Sequence, residues 1–183
     1  MSYFAAAVVR GSKGWSATEL DLSGAADVEE VADLLRDVHP DAAVSLLFVE
    51  SDDVYLVIMR LDQGEDLRVF GSDSVFAEES RLGALLLGDI EIPALEIETL
   101  EIEDPDDLTA PPAGGDDVVE EEPPAAEPDV DPVGDADLLA DLGVSAHRLL
   151  ALCAHEGMLP ADVIAEVCQA IGCGDEVEEL RDA

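Results

Sequence analysis

The sequence predicts an α+β fold: an N-terminal ββαβββα sheet domain, an acidic disordered linker and a small C-terminal helical bundle. Three observations carry this reading. The first 88 residues hold five apolar runs of strand length, with one segment of helical period and one short helix between and after them. Residues 89–133 contain 17 acidic residues and no Lys or Arg. From Gly134 onward apolar residues return at helical spacing, punctuated by Gly143, Gly157 and Gly172.

Residues 3–9 (YFAAAVV) and 15–22 (WSATELDL) read as two strands joined by a short loop with Gly11 and Gly14 in it, which fits a hairpin. Residues 28–38 switch to helical period, with Val28, Val31, Ala32, Leu34, Leu35 and Val38 on one face. Asp27 and Glu30 have the spacing of a capping box, and Pro40 blocks continuation beyond His39. Residues 44–50 (VSLLFVE) and 54–61 (VYLVIMRL) are nearly uninterrupted apolar runs around Ser51-Asp52-Asp53. They read as a central hairpin buried on both faces or nearly so. Residues 67–71 (LRVFG) make a fifth strand, and Ser80 is placed to cap a short helix over 81–87. Helices are expected to cover one face of this sheet.

The first domain spans 1–88, or extends to 103 if the next stretch joins its sheet. In that stretch Ile90, Ile92, Leu95, Ile97, Leu100 and Ile102 alternate with acidic residues. Period two is a strand signal, and Pro93 confines any such strand to an edge. Two readings stay open: an edge strand of the chain's own sheet, or a partner-binding segment that adds to another sheet or enters a basic groove. Residues 104–133 read as a self-repelling linker, which with the alternating stretch completes the acidic low-complexity segment 89–133.

The third part, 134–183, opens with Leu138, Leu139 and Leu142 before Gly143. Ser145 is a plausible N-cap for 146–156, Pro160 stands at the first position of 160–171, and a last helix covers 175–181. Leu149, Leu150, Leu152, Val163, Ile164, Val167, Ile171, Val177 and Leu180 are expected to share a small core. Fifty residues of short helices lie near the lower limit for independent stability.

Composition narrows the function. The formal net charge is -37, from 45 acidic and 8 basic residues. Residues 1–88 carry 17 acids against 6 bases and residues 134–183 carry 11 against 2. A surface this negative repels phosphate backbones, so no direct nucleic-acid binding is expected. At 48% hydrophobic and 4% aromatic residues, the chain has enough aliphatic material for a core and is not disordered throughout. The opening MSYFAAAVVRGSKGW reads as a strand rather than a signal peptide, and no long uncharged apolar stretch predicts a membrane span. The three cysteines all fall in the last 31 residues, an odd number that suits reduced thiols in the cytoplasm.

The only cluster with metal-ligand chemistry is Cys153, His155, Cys168 and Cys173. Zinc takes four such ligands, but no C-x2-C or H-x3-H pair occurs, and residues 153 and 155 point to different faces of a helix. Cys153 and Cys168 fit the apolar stripes of their helices as small hydrophobes, so no metal or other cofactor is expected. Gly11-Ser12-Lys13-Gly14 is formally a GxxG loop, yet it joins strands rather than the helices of a KH domain. No Walker loop and no GxGxxG is present. A zinc nucleobase deaminase needs H-x-E and P-C-x-x-C; here His155 and Glu156 are adjacent and Pro160 precedes Ala161. No catalytic residue is predicted.

The order of segments carries a resemblance. MSYFAAAVVR, Trp15 and ELDL are followed by VADLLRD, LLFVE, VIMRLD, RVFGSD and LLLGD. An acidic stretch then precedes GDADLLADLGVSAHRLLALCAHEGMLPADV and CGDEVEELR. This order resembles the tRNA adenosine deaminase-associated protein family of high-GC bacteria. The resemblance implies a non-catalytic accessory protein linked to the deaminase that makes wobble inosine, and it brings no active-site residues. An acidic partner of this kind could dock on the deaminase's basic, tRNA-binding surface. The alternative is an acidic two-domain interaction or regulatory module for an unrelated cytoplasmic protein.

Overall fold

The computed structural model describes residues 3–88, 132–155 and 157–183. The first hairpin, β1 (Tyr3–Gly11) and β2 (Gly14–Glu19), closes around Ser12-Lys13 with Gly11 opposite Gly14. Gly14 has φ +120°, a conformation a side chain would resist. α1 (Val28–Val38) follows with the predicted bounds. The Asp27 carboxylate accepts from the Glu30 amide at 2.9 Å, and Glu30 reaches back to the Ala26 amide at 2.7 Å. The reciprocal bond therefore lands one residue before the expected position, and it still satisfies a second amide at the helix start.

β3 (Val44–Ser51), β4 (Tyr55–Asp62) and β5 (Asp66–Gly71) form an antiparallel meander, and β3 also pairs with β1 from Tyr3↔Ser51 to Arg10↔Val44. Asp52 and Asp53 turn the first of these hairpins at φ +52° and +57°. Aspartate tolerates this left-handed backbone better than bulky or β-branched residues do. The next elements are α2 (Val75–Glu79) and α3 (Arg81–Leu87), the latter capped by Ser80, which accepts from the Leu82 amide at 3.2 Å. A two-residue strand, β6 (Val133–Gly134), pairs with the end of β5. Strand order is β2-β1-β3-β4-β5-β6.

The mixed class with C-terminal helices stands, but the sheet carries helices on both faces. On one face Ala5, Ala7, Leu47, Val49, Val57 and Met59 pack under α1, α2 and α3 through Val31, Leu35, Phe76 and Leu86. On the other, Val8, Leu46, Phe48, Leu56, Ile58 and Phe70 meet the C-terminal segment. That segment comprises a 3-10 turn (Ala140–Leu142), α4 (Ala146–Cys153), α5 (Pro160–Ile171) and α6 (Gly174–Asp182). Its Leu138, Leu139, Leu149, Val163, Ile164, Val167 and Val177 share one core with the sheet rather than closing one of their own. The physical reason lies in the sequence of β3 and β4. Strands apolar on both faces need two covers, and α1 to α3 supply only one.

Other differences are local: β2 stops at Glu19 rather than at residue 22, and α4 stops at Cys153, short of the expected bound at 156. α2 has five residues, too short to show a helical period. Val133, placed by the sequence reading in the acidic segment, sits opposite Gly71 within the sheet. The remaining readings on 89–131, both the alternating stretch and the linker, lie outside the described residues. Among the described residues no helix is long and apolar enough to cross a membrane.

Candidate functional site: an acidic surface and its few paired cations

Strand alternation turns Glu50, Arg60 and Arg68 toward the C-terminal segment, and this decides where the few cations go. Arg60, near the C-terminal end of β4 and only 4% exposed, donates to Asp62 at 2.8 and 3.0 Å and to the Leu138 carbonyl at 2.5 Å. It also grips Asp141 with both terminal nitrogens, one bond at 2.8 Å. Arg68 donates to the other oxygen of Asp62 at 2.9 Å and lies 3.6 Å from Asp135. Arg181, on α6, donates to Glu50 at 2.5 Å while its guanidinium lies over the Phe4 ring. Each of these clamps joins the sheet to the C-terminal segment.

Arg36 pairs with Asp33, and Arg148 approaches Glu166. Five of the eight cations thus face carboxylates within the fold. Arg10 lies over Trp15 instead, and Lys13 and Arg81 have no carboxylate partner among the described residues. Most other carboxylates face solvent. α6 alone presents Asp175, Glu178, Glu179 and Asp182. On the other face of the sheet Tyr55 donates to Glu79 at 2.8 Å. That bond, with the nearby charges of Asp73 and Asp52, holds the phenol's pKa above its ordinary value. The electrostatic output of the fold is an anionic exterior, suited to a cationic protein face and not to a phosphate backbone.

The sequence singled out Cys153, His155, Cys168 and Cys173, and the structure separates them by environment. Cys168 and Cys173 come together at the junction of α5 and α6, fully buried in the core beneath the sheet. Cys153 is half-buried on α4 against the same core, while His155 stands on the exposed turn after it. Among the described residues no three His, Cys, Asp or Glu are grouped to hold a metal ion. Burial pushes the Cys153 thiol up to about 11, and hydrogen bonding to Cys173 together with burial raises Cys168. A thiol is a poor nucleophile and ligand until deprotonated. With an aromatic disulfide reagent at neutral pH, Cys153 is therefore expected to react slowly and the other two only on unfolding. Fast labelling of two or more thiols in the native protein contradicts this placement.

Ile90, Ile92, Leu95, Ile97, Leu100 and Ile102 lie outside the described residues. What the sequence reading missed was the role of Arg60 and Glu50. Arg60 is a charge inside the apolar run VYLVIMRL and Glu50 closes the run VSLLFVE; a charge within a strand apolar on both faces is the signal that a partner must exist.

No curated protein and no solved structure matches this chain. A family model does, over residues 3–174, which takes in the sheet, all three helices of its first face and the C-terminal segment as far as the start of α6. The match covers almost all of the described residues, and the chain belongs to the Rv3753c-like tRNA adenosine deaminase-associated proteins.

Proposed function

We propose that this chain is a non-catalytic cytoplasmic accessory protein that docks on the basic, tRNA-binding face of a tRNA adenosine deaminase. The family's name supplies the association. The observation that supports docking is the carboxylate surplus, 45 acidic against 8 basic residues, with five of the eight cations already paired to carboxylates of the same chain. A deaminase acting on tRNA must present cations to the phosphate backbone. An acidic protein can occupy those cations without tRNA, shielding the enzyme or competing with its substrate. Association driven in this way is fast and is screened by salt, over a Debye length of about 10 Å at 0.1 M.

The test mixes the two purified proteins and follows association by light scattering or biolayer interferometry across a salt series. Binding is expected at low ionic strength, weakening as salt rises, with tRNA as a competitor. Replacing 89–131 by a short Gly-Ser link removes 17 acids and is expected to lower the association rate without unfolding the remainder. The link can be short, because Leu87 and Val133 side-chain atoms lie 2.8 and 3.3 Å from where a Cβ on Gly71 would stand. Absence of any binding at low salt would sink direct docking.

A further inference from the structure

The loop between β2 and α1 separates two adjoining hollows on the face of the molecule covered by α1 and α3. One, of about 260 Å³, is floored by Leu22, Ala25, Leu82 and Leu85, with Tyr3 and Arg81 on its wall and rim. The other, of about 460 Å³, runs along α1 between Asp21, Glu30, Asp33 and Asp37, with Leu34 at its base. Ser23 and Ala25 line both, so the two are one groove with an apolar end and an acidic end.

The walls are held in place. The Tyr3 hydroxyl accepts from the Leu22 amide at 3.1 Å and donates to Asp21 at 3.2 Å, and Asp21 also accepts from the Ser23 amide at 2.9 Å. The bonds from Ser23, and next that from Tyr3, keep the Asp21 carboxyl below the usual carboxylate range. Ser51 and Ser80 are almost wholly buried at the bottom of the apolar end. Glu30 is fixed by the Ala26 amide, while Asp33 is 67% exposed beside Arg36. An aliphatic pocket beside four carboxylates, two held by backbone amides and one paired with Arg36, selects a particular neighbour: an aliphatic side chain flanked by lysine or arginine.

We propose that this groove receives a basic segment of the deaminase, its aliphatic side chain entering between Leu22, Leu82 and Leu85 and its cations lying along Asp21, Glu30, Asp33 and Asp37. The proposal rests on the docking reading above and names the surface and the anchor that reading leaves open. Arg81, at the far rim, orients the segment by disfavouring a cation on that side.

Nuclear magnetic resonance of the full chain tests it, with the peptide acetyl-Lys-Arg-Leu-Lys-amide as probe and the purified deaminase as a separate arm. The peptide is expected to shift the amides of Ser23, Gly24, Leu82 and Leu85. Replacing its leucine by alanine is expected to weaken binding about tenfold at unchanged charge. Ser23 is exposed on the shared wall, so Ser23→Trp plugs both hollows without touching the core. It is expected to abolish the peptide's shifts and to weaken deaminase binding, with the thermal midpoint unchanged. Asp37→Lys is a second, exposed variant with the same expected direction. Shifts that map elsewhere, or a leucine that does not matter, overturn the groove. Deaminase that binds wild type, Ser23→Trp and Asp37→Lys equally overturns the groove and leaves docking standing at another surface. Peptide shifts confined to the groove, with no deaminase binding at low salt, support the groove's chemistry and sink the deaminase as its partner.

Discussion

A chain ending at Gly88 is expected not to hold the native sheet, and a fragment of residues 132–183 is expected not to fold alone. Val8, Leu46, Phe48, Leu56, Ile58 and Phe70 are all buried, and their partners lie in the C-terminal segment. Fully burying an aliphatic or phenyl side chain contributes about 1.5–3 kcal/mol. Uncovering six therefore forfeits up to roughly 9–18 kcal/mol, an upper bound because unfolded chains already bury some surface. That is comparable with the whole stability of a typical domain, about 5–15 kcal/mol. Near-ultraviolet circular dichroism and dye binding check it. Fragment 1–88 should bind a hydrophobic dye and lose near-ultraviolet signal, whereas the chain lacking only 89–131 should retain it. A cooperative, monomeric fragment 1–88 with wild-type-like near-ultraviolet signal defeats the two-cover account.

Much of this fold could be read in the sequence because its signals are local. The α1 bounds followed from periodicity with Asp27 at one end and Pro40 past the other. Ser80, Ser145 and Pro160 each marked a real helix start, and Gly172, in the left-handed conformation at φ +89°, marked a real end. The two-sided burial of β3 and β4 was also legible, since VSLLFVE and VYLVIMRL leave no polar face.

What could not be read was which element covers which face. The apolar stripe of α5 is equally compatible with helix neighbours or with a sheet, because periodicity reports that a face is buried and not against what. The clue was stoichiometric: a sheet apolar on both sides and too few helices near it in sequence. The groove was hidden for a different reason. It joins Tyr3, the loop at Ser23 and Ala25, and α3 at Leu82 and Leu85, positions far apart in sequence that only the tertiary fold brings together. No motif links them. The acidic surface, by contrast, was visible in composition, but composition could not show which carboxylates the few cations pair with.

Arg60→Ala is expected to destabilise the protein by about 1–3 kcal/mol, the usual cost of leaving a buried polar group without its partner. The side chain is 4% exposed and supports three groups at once: Asp62, Asp141 and the Leu138 carbonyl. Truncation leaves the carbonyl without its donor and opens a hollow between β4 and the segment after β6. Asp141, whose side chain is 60% exposed, regains water and suffers least. Arg60→Met keeps the packing volume and is expected to lose less than the alanine variant. The pH dependence follows from Asp141, whose pKa the Arg60 hydrogen bond holds below the ordinary carboxylate value. A lowered folded-state value means stability that is present above the unfolded pKa, about 3.9, and lost as pH falls through the folded one. Wild type should therefore lose stability steeply on acidification below pH about 4, and Arg60→Ala should show a shallower loss over the same range. Urea unfolding at several pH values measures both quantities. A deficit under ~1 kcal/mol at neutral pH, or parallel acid profiles, would show that the arginine network is not what holds the second cover on the sheet.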